Sequence, residues 1–480
     1  MTTHRAAGVL LGQACGDALG VPYEFGAARL GAHPQMIGGG LGDYAAGEWS
    51  DDTQMAAVIA QVSATGADLT SEAALDEIAE GFLRWRRQGA TDIGNQTDRV
   101  LRAAERGDGP AGRRLTEAAA ADARHSSRSA GNGALMRTSI IGLTRTDDRD
   151  ATAAAARAVA ALTHVDDDVS DSCVLWTEAV RHVVVDHDLD LLGGLDLLPA
   201  GRRGRWKQLI MEAEQRSAST FTPNGWTVTA LQAAWSAVVQ TRPNDREDPA
   251  HFELALEAAI RIGNDTDTVA AIAGGLLGAY WGVSAIPARW QRVLHGWPGL
   301  RAHDLLGLAV LTARGGRPDP QGWPSADAID YGGPQRQRAV PHPHDAGVIL
   351  GTIDDLGHVG DAAISLCRLG SDQIPAAGIG PADHLQLWLI DADDETLNPH
   401  LSYVLRDVAR SIASLRTEGK TVLVHCVAAQ QRTPSAALAY ARLLGVPADQ
   451  ARLDIRAALK SARGHGALWE HAAAVQPEPT

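Results

Sequence analysis

The chain has almost no lysine. Of its 43 basic residues only Lys207, Lys420 and Lys460 are lysines, and 58 acidic residues bring the formal charge to −15. That balance excludes a general nucleic-acid or acidic-membrane surface. Cysteine is scarce too: Cys15, Cys173, Cys367 and Cys426 show no framework spacing. A disulfide scaffold is therefore excluded, and a reducing, cytoplasmic setting is expected. Aromatics make up 5% of a chain that is 45% hydrophobic, which leaves Ala, Leu and Val to fill cores of close-packed helices. Long apolar runs are missing as well. Val269–Val283 is rich in Gly and Ala and falls short of the ~20 residues a membrane span needs. The N-terminal apolar run is broken at Asp17, which predicts a helix rather than a signal sequence. With 480 residues there is length for two or three domains, each with a sizeable core.

Two acidic strings stand out, WSDDTQM at Trp49–Met55 and GNDTDTVAAIAG at Gly263–Gly274. Each interleaves hydroxyls with carboxylates at the head of a helical pattern. Taken singly, such a string reads as a helix N-cap, with Ser or Asp capping and acids favoured at the positive end of the dipole. Taken together they offer Ser50, Asp51, Asp52, Asp265, Asp267 and Thr268. This all-oxygen set suits hard cations such as Mg²⁺ or Mn²⁺ and does not suit Zn²⁺. A packed core tolerates so much negative charge poorly unless cations neutralise it.

Residues 1–314 read as helical nearly throughout. Apolar residues recur at three- and four-residue spacing over Met55–Val62, Ser71–Gln88, Ala151–Leu162, Ser170–Val184, Val228–Val239 and Phe252–Ile262. Residues 315–346 are dense in Pro, Gly and His, without apolar periodicity, which predicts a linker. From 347 to 466 the texture changes to short apolar runs of strand character (GVILGTI, AAISLCRL, HLQLWLID, TVLVHC) separated by loops and by helical stretches at Pro399–Leu415 and Pro434–Leu444. The expected architecture is a multi-domain chain, an all-α domain followed by a smaller α/β domain. Residues 467–480 are expected as a tail, disordered at QPEPT.

The acidic strings belong to a series of motifs. QACGDALGVPYEF (Gln13–Phe25), WSDDTQM, TDIGNQT (Thr91–Thr97), SAGNGALMRTS (Ser129–Ser139), ALTHVDD (Ala161–Asp167) and GNDTDTVAAIAGGLLGAYWG (Gly263–Gly282) follow one another in the order found in the ADP-ribosylglycohydrolase family, which the first 310 or so residues resemble. The resemblance implies two divalent cations, Mg²⁺ or Mn²⁺, held by Ser50, Asp51, Asp52, Asp265, Asp267 and Thr268, with Asp51 and Asp52 also catalytic. Ser50 stands where the family often has Thr and keeps the oxygen. Glu24 matches a family acid near the metals, as a ligand, a gate or a base; by itself it reads as a solvated loop residue. Asp92 and Gly94 resemble loop residues that bind ribose and phosphate, against the plainer reading of a helix cap. Gly131-Asn132-Gly133 is a turn signal; with helical ALMR behind it, the segment also offers backbone N–H groups to a diphosphate. His164 reads as structural or substrate-contacting rather than metal-ligating, since the other donors are all oxygen. The chemistry implied is cleavage at the anomeric carbon of ADP-ribose, through an oxocarbenium-like state and an activated water.

The second domain centres on VLVHCVAAQQRTPSAALAY, Val422–Tyr440. Cys426 and Arg432 have five residues between them, a weak signal alone. A strand-like lead-in and a following helix strengthen it, because such a loop would wrap backbone N–H groups around the thiol. The segment resembles the phosphate loop of tyrosine and dual-specificity phosphatases, which implies Cys426 as nucleophile, Arg432 as bidentate phosphate clamp and Thr433 as donor to the departing thiolate. LIDADDETLNP offers Asp391, Asp393 and Asp394 as general acid, and spacing to Asn398 favours Asp393. Ala429 departs from the family's usual Gly, at a position where backbone must approach phosphate.

The resulting expectation is a cytoplasmic hydrolase that releases ADP-ribose from a modified protein, nucleic acid or small molecule, coupled to a phosphatase acting on a phosphomonoester, with no membrane partner. The alternative keeps the glycohydrolase and makes the second domain a non-catalytic phosphate-binding or regulatory module.

Overall fold

The computed structural model describes residues 2–126, 129–243, 248–333 and 335–477. The described chain divides into two compact units. One comprises Thr2–Ile286 with Val293–Arg317; the other comprises Pro287–Arg292 with the chain from Pro318 onward.

The first unit is helical, as the periodicity predicts. Its helices are α1 (Thr2–Gly20), α2 (Asp51–Ser63), α3 (Glu72–Gln88), α4 (Asn95–Ala104), α5 (Ala111–His125), α6 (Arg149–Ala161) and α7 (Asp167–Asp186). There follow α8 (Ala200–Gln215), α9 (Thr227–Gln240), α10 (His251–Ile260), α11 (Thr266–Trp281) and, after α12 (Ala288–Val293), of which all but Val293 falls in the other unit, α13 (Ala302–Ala313). A two-stranded ribbon pairs β1 (His295–Gly296) with β2 (Leu300–Arg301). Two helices are buried on every side, α11 along all its residues and α1 from His4 to Gly20. Helices that are apolar or small all round belong at the centre of a bundle.

These central helices meet along a glycine seam. Gly8, Gly12, Gly16 and Gly20 recur every fourth residue on one face of α1. A Cβ on Gly12 would collide with the Gly274 carbonyl oxygen, one on Gly16 with that of Ala270, and one on Gly20 would lie 2.6 Å from that of Thr266. Backbone therefore lies on backbone, and the hydroxyl of Thr266 donates to the Gly20 carbonyl at 2.8 Å. The seam brings Asp17 of α1 beside Asp267 of α11. Gly12→Ala should force the helices apart and lower stability by about 1–3 kcal/mol, the scale of overpacking a filled core; a denaturant titration of the full chain measures it.

The second unit carries a five-stranded sheet in the order β3 (Val340–His342), β4 (Asp345–Gly351), β7 (Val422–His425), β5 (Ala362–Ser365), β6 (His384–Gln386). The last four run parallel, and β3 is antiparallel to β4 at one edge, where Pro341 costs no ladder bond. The central strands β5 and β7 are buried throughout, as parallel strands covered on both faces must be. Helices α14 (Leu401–Thr417), α15 (Arg432–Leu443), α16 (Ala448–Ala458) and α17 (Ala467–Ala473) complete the unit.

Two boundaries differ from the sequence expectation. The Pro/Gly-rich stretch at 315–346 is not a free connector. Trp323 and Ile329 are buried, the Arg368 guanidinium lies over the Trp323 ring and pairs with Asp319, and the Ala326 and Asp327 carbonyls accept from Ser371 and Asp372 N–H. Two well-spaced apolar anchors suffice to tie down a segment without periodicity. Likewise 467–480 is no simple tail: Leu468, Trp469 and Ala472 of α17 are in the core, and only residues 478–480 of QPEPT lie outside the described chain.

Candidate active site

The N-terminus of α2 is capped in an unusual way. Ser50 is its N-cap residue, yet the Ser50 side chain makes no capping bond. The Thr53 N–H, which a capping serine would normally satisfy, donates to Asp17 Oδ2 at 2.9 Å, and the Ser50 N–H donates to Asp17 Oδ1 at 2.8 Å. Ser50 Oγ donates to Asp17 Oδ1 at 2.7 Å and also lies 3.1 Å from Asp52 Oδ2 and 3.3 Å from Asp267 Oδ2. Thr268 Oγ1, on the first turn of α11, is 3.4 Å from the same Asp52 oxygen. The two acidic strings therefore converge, 216 residues apart in sequence.

Two overlapping groups of carboxylates result, Asp17–Asp52–Asp267 and Glu24–Asp265–Asp267, each with oxygens within 4.8 Å of one another. Asp267 belongs to both. Burial, reinforced by like charge, holds these acids far from ordinary behaviour. Burial and the charges of Glu24, Asp52 and Asp265 push Asp267 well above the usual carboxylate range. Asp52 is raised by burial and by Asp17 and Asp51. Glu24 is pushed up to about 9 by burial and by Asp265, Asp92 and Asp51. Two buried oxygens, Asp52 Oδ1 and Asp267 Oδ1, have no hydrogen-bond partner. Donor chemistry and orphaned oxygens together fit hard divalent cations.

Glu24, Asp265, Asp267 and Thr268 form one wall of a cavity of about 350 Å³, within the size range of small-molecule sites. Asp51, Asp92, Gly94, Gly131, Gly133 and His164 line it. Asp51 is absent from both three-carboxylate groups; its carboxyl is raised by burial and by Asp92, and the Gly94 N–H bonds to it. Gly94 itself is the N-cap of α4. His164 is buried and held down to about 3 by burial, with Arg137 and Arg99 adding to it, so the ring is neutral. Its Nδ1 pairs with Thr163 Oγ1 at 2.8 Å, and a Cβ on Gly133 would come within 3.2 Å of the ring.

Gly131-Asn132-Gly133 differs from expectation. The Gly131 N–H donates to Gln96 Oε1 at 3.4 Å and the Asn132 N–H to the Gly225 carbonyl at 3.2 Å. The segment behind them is a single 3-10 turn, Leu135–Arg137. Two of the three amides are thus spent inside the protein. Asn132 instead donates through Nδ2 to Asp265 Oδ2 at 2.8 Å and to the Asn224 carbonyl at 3.1 Å, which orients that carboxylate. Sequence reasoning missed Asp17 and Asn224. Asp17 was hidden in a run that reads as plain helix, and Asn224 acts only through the fold, accepting the Asp265 N–H at 3.1 Å.

The ADP-ribosylglycohydrolase family profile matches residues 1–319. The chain belongs to that family. It is 31% identical over 302 residues to the ADP-ribosylarginine hydrolase Tri1 of Pseudomonas putida (strain GB-1), covering 60% of this chain and 73% of the relative. It is 28% identical over 298 residues to the ADP-ribosyl-[dinitrogen reductase] glycohydrolase of Rhodospirillum rubrum, covering 60% of this chain and 88% of that one. A solved ADP-ribosylglycohydrolase-related protein complex aligns with a TM-score of 0.50 at 28% identity, covering 66% of this chain and 99% of the solved one. Within this ADP-ribosylglycohydrolase the matched residues comprise the helical unit and both acidic strings. No helix among the described residues is long and apolar enough to cross a membrane.

In the second unit Cys426 follows the central strand β7, and α15 begins at Arg432, placing the loop at the carboxyl ends of parallel strands, where open α/β sheets bind ligands. The carbonyls of Val427, Ala429 and Gln430 accept from the Ile353 N–H, Ser461 Oγ and the Arg463 N–H. Because a trans peptide points its N–H opposite its carbonyl, the amides of residues 428, 430 and 431 point away from those partners. Ala429 is buried at φ +52°, in the left-handed conformation that favours glycine.

The other expected groups are engaged elsewhere. Arg432 Nη1 donates to the Leu366 carbonyl at 2.5 Å, and its Nε lies 3.3 Å from Asp391. Asp393 accepts from Gln431 Nε2 at 2.8 Å and lies 3.4 Å from Arg463 Nη1. Asp394 accepts from the Thr396 N–H and hydroxyl, which lower its carboxyl below the usual range. Thr433 donates to the Gly351 carbonyl at 3.4 Å rather than to the thiol.

Proposed function

We propose that the first unit hydrolyses the bond between ADP-ribose and an arginine side chain of a protein. The observation that carries this reading is the convergence of Ser50 and Asp52 with Asp267 and Thr268, beside a cavity that Asp265, Asp267, Thr268 and further acids line. Arginine as the acceptor draws on the substrate in the Tri1 relatives' name and on charge, since an acidic cavity suits a guanidinium leaving group. Mg²⁺ or Mn²⁺ held by these residues with Asp51 would supply Lewis acidity toward the ribose oxygens and an activated water.

The chain's own groups do the rest. Asn132 fixes Asp265, the neutral His164 packs against Gly131 and Gly133, and Asp92 and Gly94, which line the same cavity, would receive the ribose. Glu24 is the group best placed to hold and exchange a proton. Water adds to the anomeric carbon, the bond to the guanidino nitrogen breaks, and that nitrogen takes a proton. ADP-ribose release from an arginine-modified protein, a serine-modified protein and ADP-ribosylated nucleic acid, each with and without Mg²⁺ or Mn²⁺, tests the reading. Release from the arginine-linked protein alone, lost on chelation, is expected; full activity after exhaustive chelation removes the cation mechanism.

For the second unit we infer a phosphomonoester site at Cys426–Arg432, with Cys426 as nucleophile and Asp393 as acid, once substrate draws Arg432 and Asp393 from their present partners. A regulatory phosphate-binding module is the second reading, favoured by Ala429 in the left-handed region and by the Thr433–Gly351 bond. Both readings place a cytoplasmic enzyme on a substrate that carries phosphate.

A further inference from the structure

We infer that Asp17 is a positioning residue for the cation site, acting through Ser50; this rests on the cation reading above. A capping serine ordinarily spends its hydroxyl oxygen on the N–H three residues on. Here Asp17, reaching in from α1, takes over that duty. Its Oδ2 accepts the Thr53 N–H at 2.9 Å, and its Oδ1 accepts the Ser50 N–H at 2.8 Å. The Ser50 oxygen is thereby released from the helix.

Asp17 also fixes which way the released hydroxyl points. Ser50 Oγ has one hydrogen and three carboxylate neighbours, at 2.7 Å (Asp17 Oδ1), 3.1 Å (Asp52 Oδ2) and 3.3 Å (Asp267 Oδ2). The hydrogen goes to the nearest, so the lone pairs face Asp52 and Asp267. Ser50 Oγ, Asp52 Oδ2 and Asp267 Oδ2 then confront one another without the serine hydrogen between them, a buried all-oxygen arrangement suited to a hard cation. Asp52 Oδ1 and Asp267 Oδ1, buried and unpartnered, point to the same need. Asp17 is itself fully buried and accepts three hydrogen bonds from the start of α2, so it is committed to the helix rather than to an ion. Outer partners of this kind orient ligand atoms, and their loss costs roughly 10–100-fold in metal affinity.

The test is a thermodynamic cycle on the full-length, metal-free protein, with Mn²⁺ affinity read by calorimetry. Asp17→Asn keeps the volume but supplies only one acceptor oxygen, and should weaken Mn²⁺ binding by about 10–100-fold. Ser50→Ala should weaken it comparably, and the double variant should bind no more than about twofold worse than Ser50→Ala, as expected of residues that act as one unit. Undiminished loss on adding Asp17→Asn to Ser50→Ala makes Asp17 a direct ligand and overturns the assignment, as does unchanged affinity in Asp17→Asn. Asp17→Glu, which keeps the charge but displaces the carboxylate by one methylene, should fall between parent and Asn variant. If neither variant folds without cations, Asp17 is a cap for α2 only and the assignment is withdrawn. A parent chain that binds no Mn²⁺ refutes the cation reading itself, a result distinct from all of these.

Discussion

Asp267→Asn is expected to abolish ADP-ribose release and, at the same time, to make the metal-free protein more stable. Asp267 is the residue common to both carboxylate groups, so its loss should exceed the roughly 100-fold effect typical of an outer partner. Stability should move the other way, because the substitution removes one like charge from a buried cluster. The same crowding gives a pH signature. Glu24 is held protonated up to about 9 in the folded, metal-free chain against an ordinary 4.5. Folding thus takes up a proton between those values; the stabilisation is complete below about 4.5 and is lost as pH rises through about 9. The metal-free protein should melt at progressively lower temperature as pH is raised from about 6 to 9, Mg²⁺ should reverse the trend, and the variant should show a shallower slope. Thermal melts across that range, with and without cation, measure all three; a variant melting below the parent in chelator would remove the argument from crowding.

Cys426→Ser should eliminate phosphomonoester hydrolysis, by roughly 10⁴-fold or more as for other catalytic nucleophiles, while retaining phosphate binding through the loop amides and Arg432. Alkylation offers an independent reading. Burial pushes Cys173 and Cys367 up to about 12, so both remain thiols at neutral pH, and modification should fall on Cys426 ahead of them and be blocked by vanadate. Ala429→Gly should raise turnover if left-handed strain is what restrains the loop. Hydrolysis that survives Cys426→Ser excludes the nucleophile; phosphate binding without turnover in the parent chain makes the unit a regulatory module.

The helical unit was legible because its periods are long and regular: the expected runs at Ser71–Gln88 and Val228–Val239 fall on α3 (Glu72–Gln88) and α9 (Thr227–Gln240). The acids were legible from their chemistry, since hydroxyls set among carboxylates are a donor set whatever the fold. What the sequence hid was each residue whose role is set by direction rather than kind. Asp17 looks like an interruption in a helix until the Thr53 N–H is seen to need it. Gly131 and Asn132 look like free amides until Gln96 and Gly225 are found accepting from them. Residues 315–346 have linker composition, and only packing shows that Trp323 and Ile329 hold that stretch in place.

The glycine seam also orders events in time. Gly20 and Thr266, joined by a hydrogen bond, are 246 residues apart. At about 5–20 residues per second of synthesis, α1 leaves the ribosome roughly 10–50 s before its partner exists. During that interval a helix with a bare backbone groove on one face and apolar side chains on the others has nothing native to bind. Nascent chains that end before α11 should therefore depend on chaperones, and the step that releases them is the same one that creates the cation site.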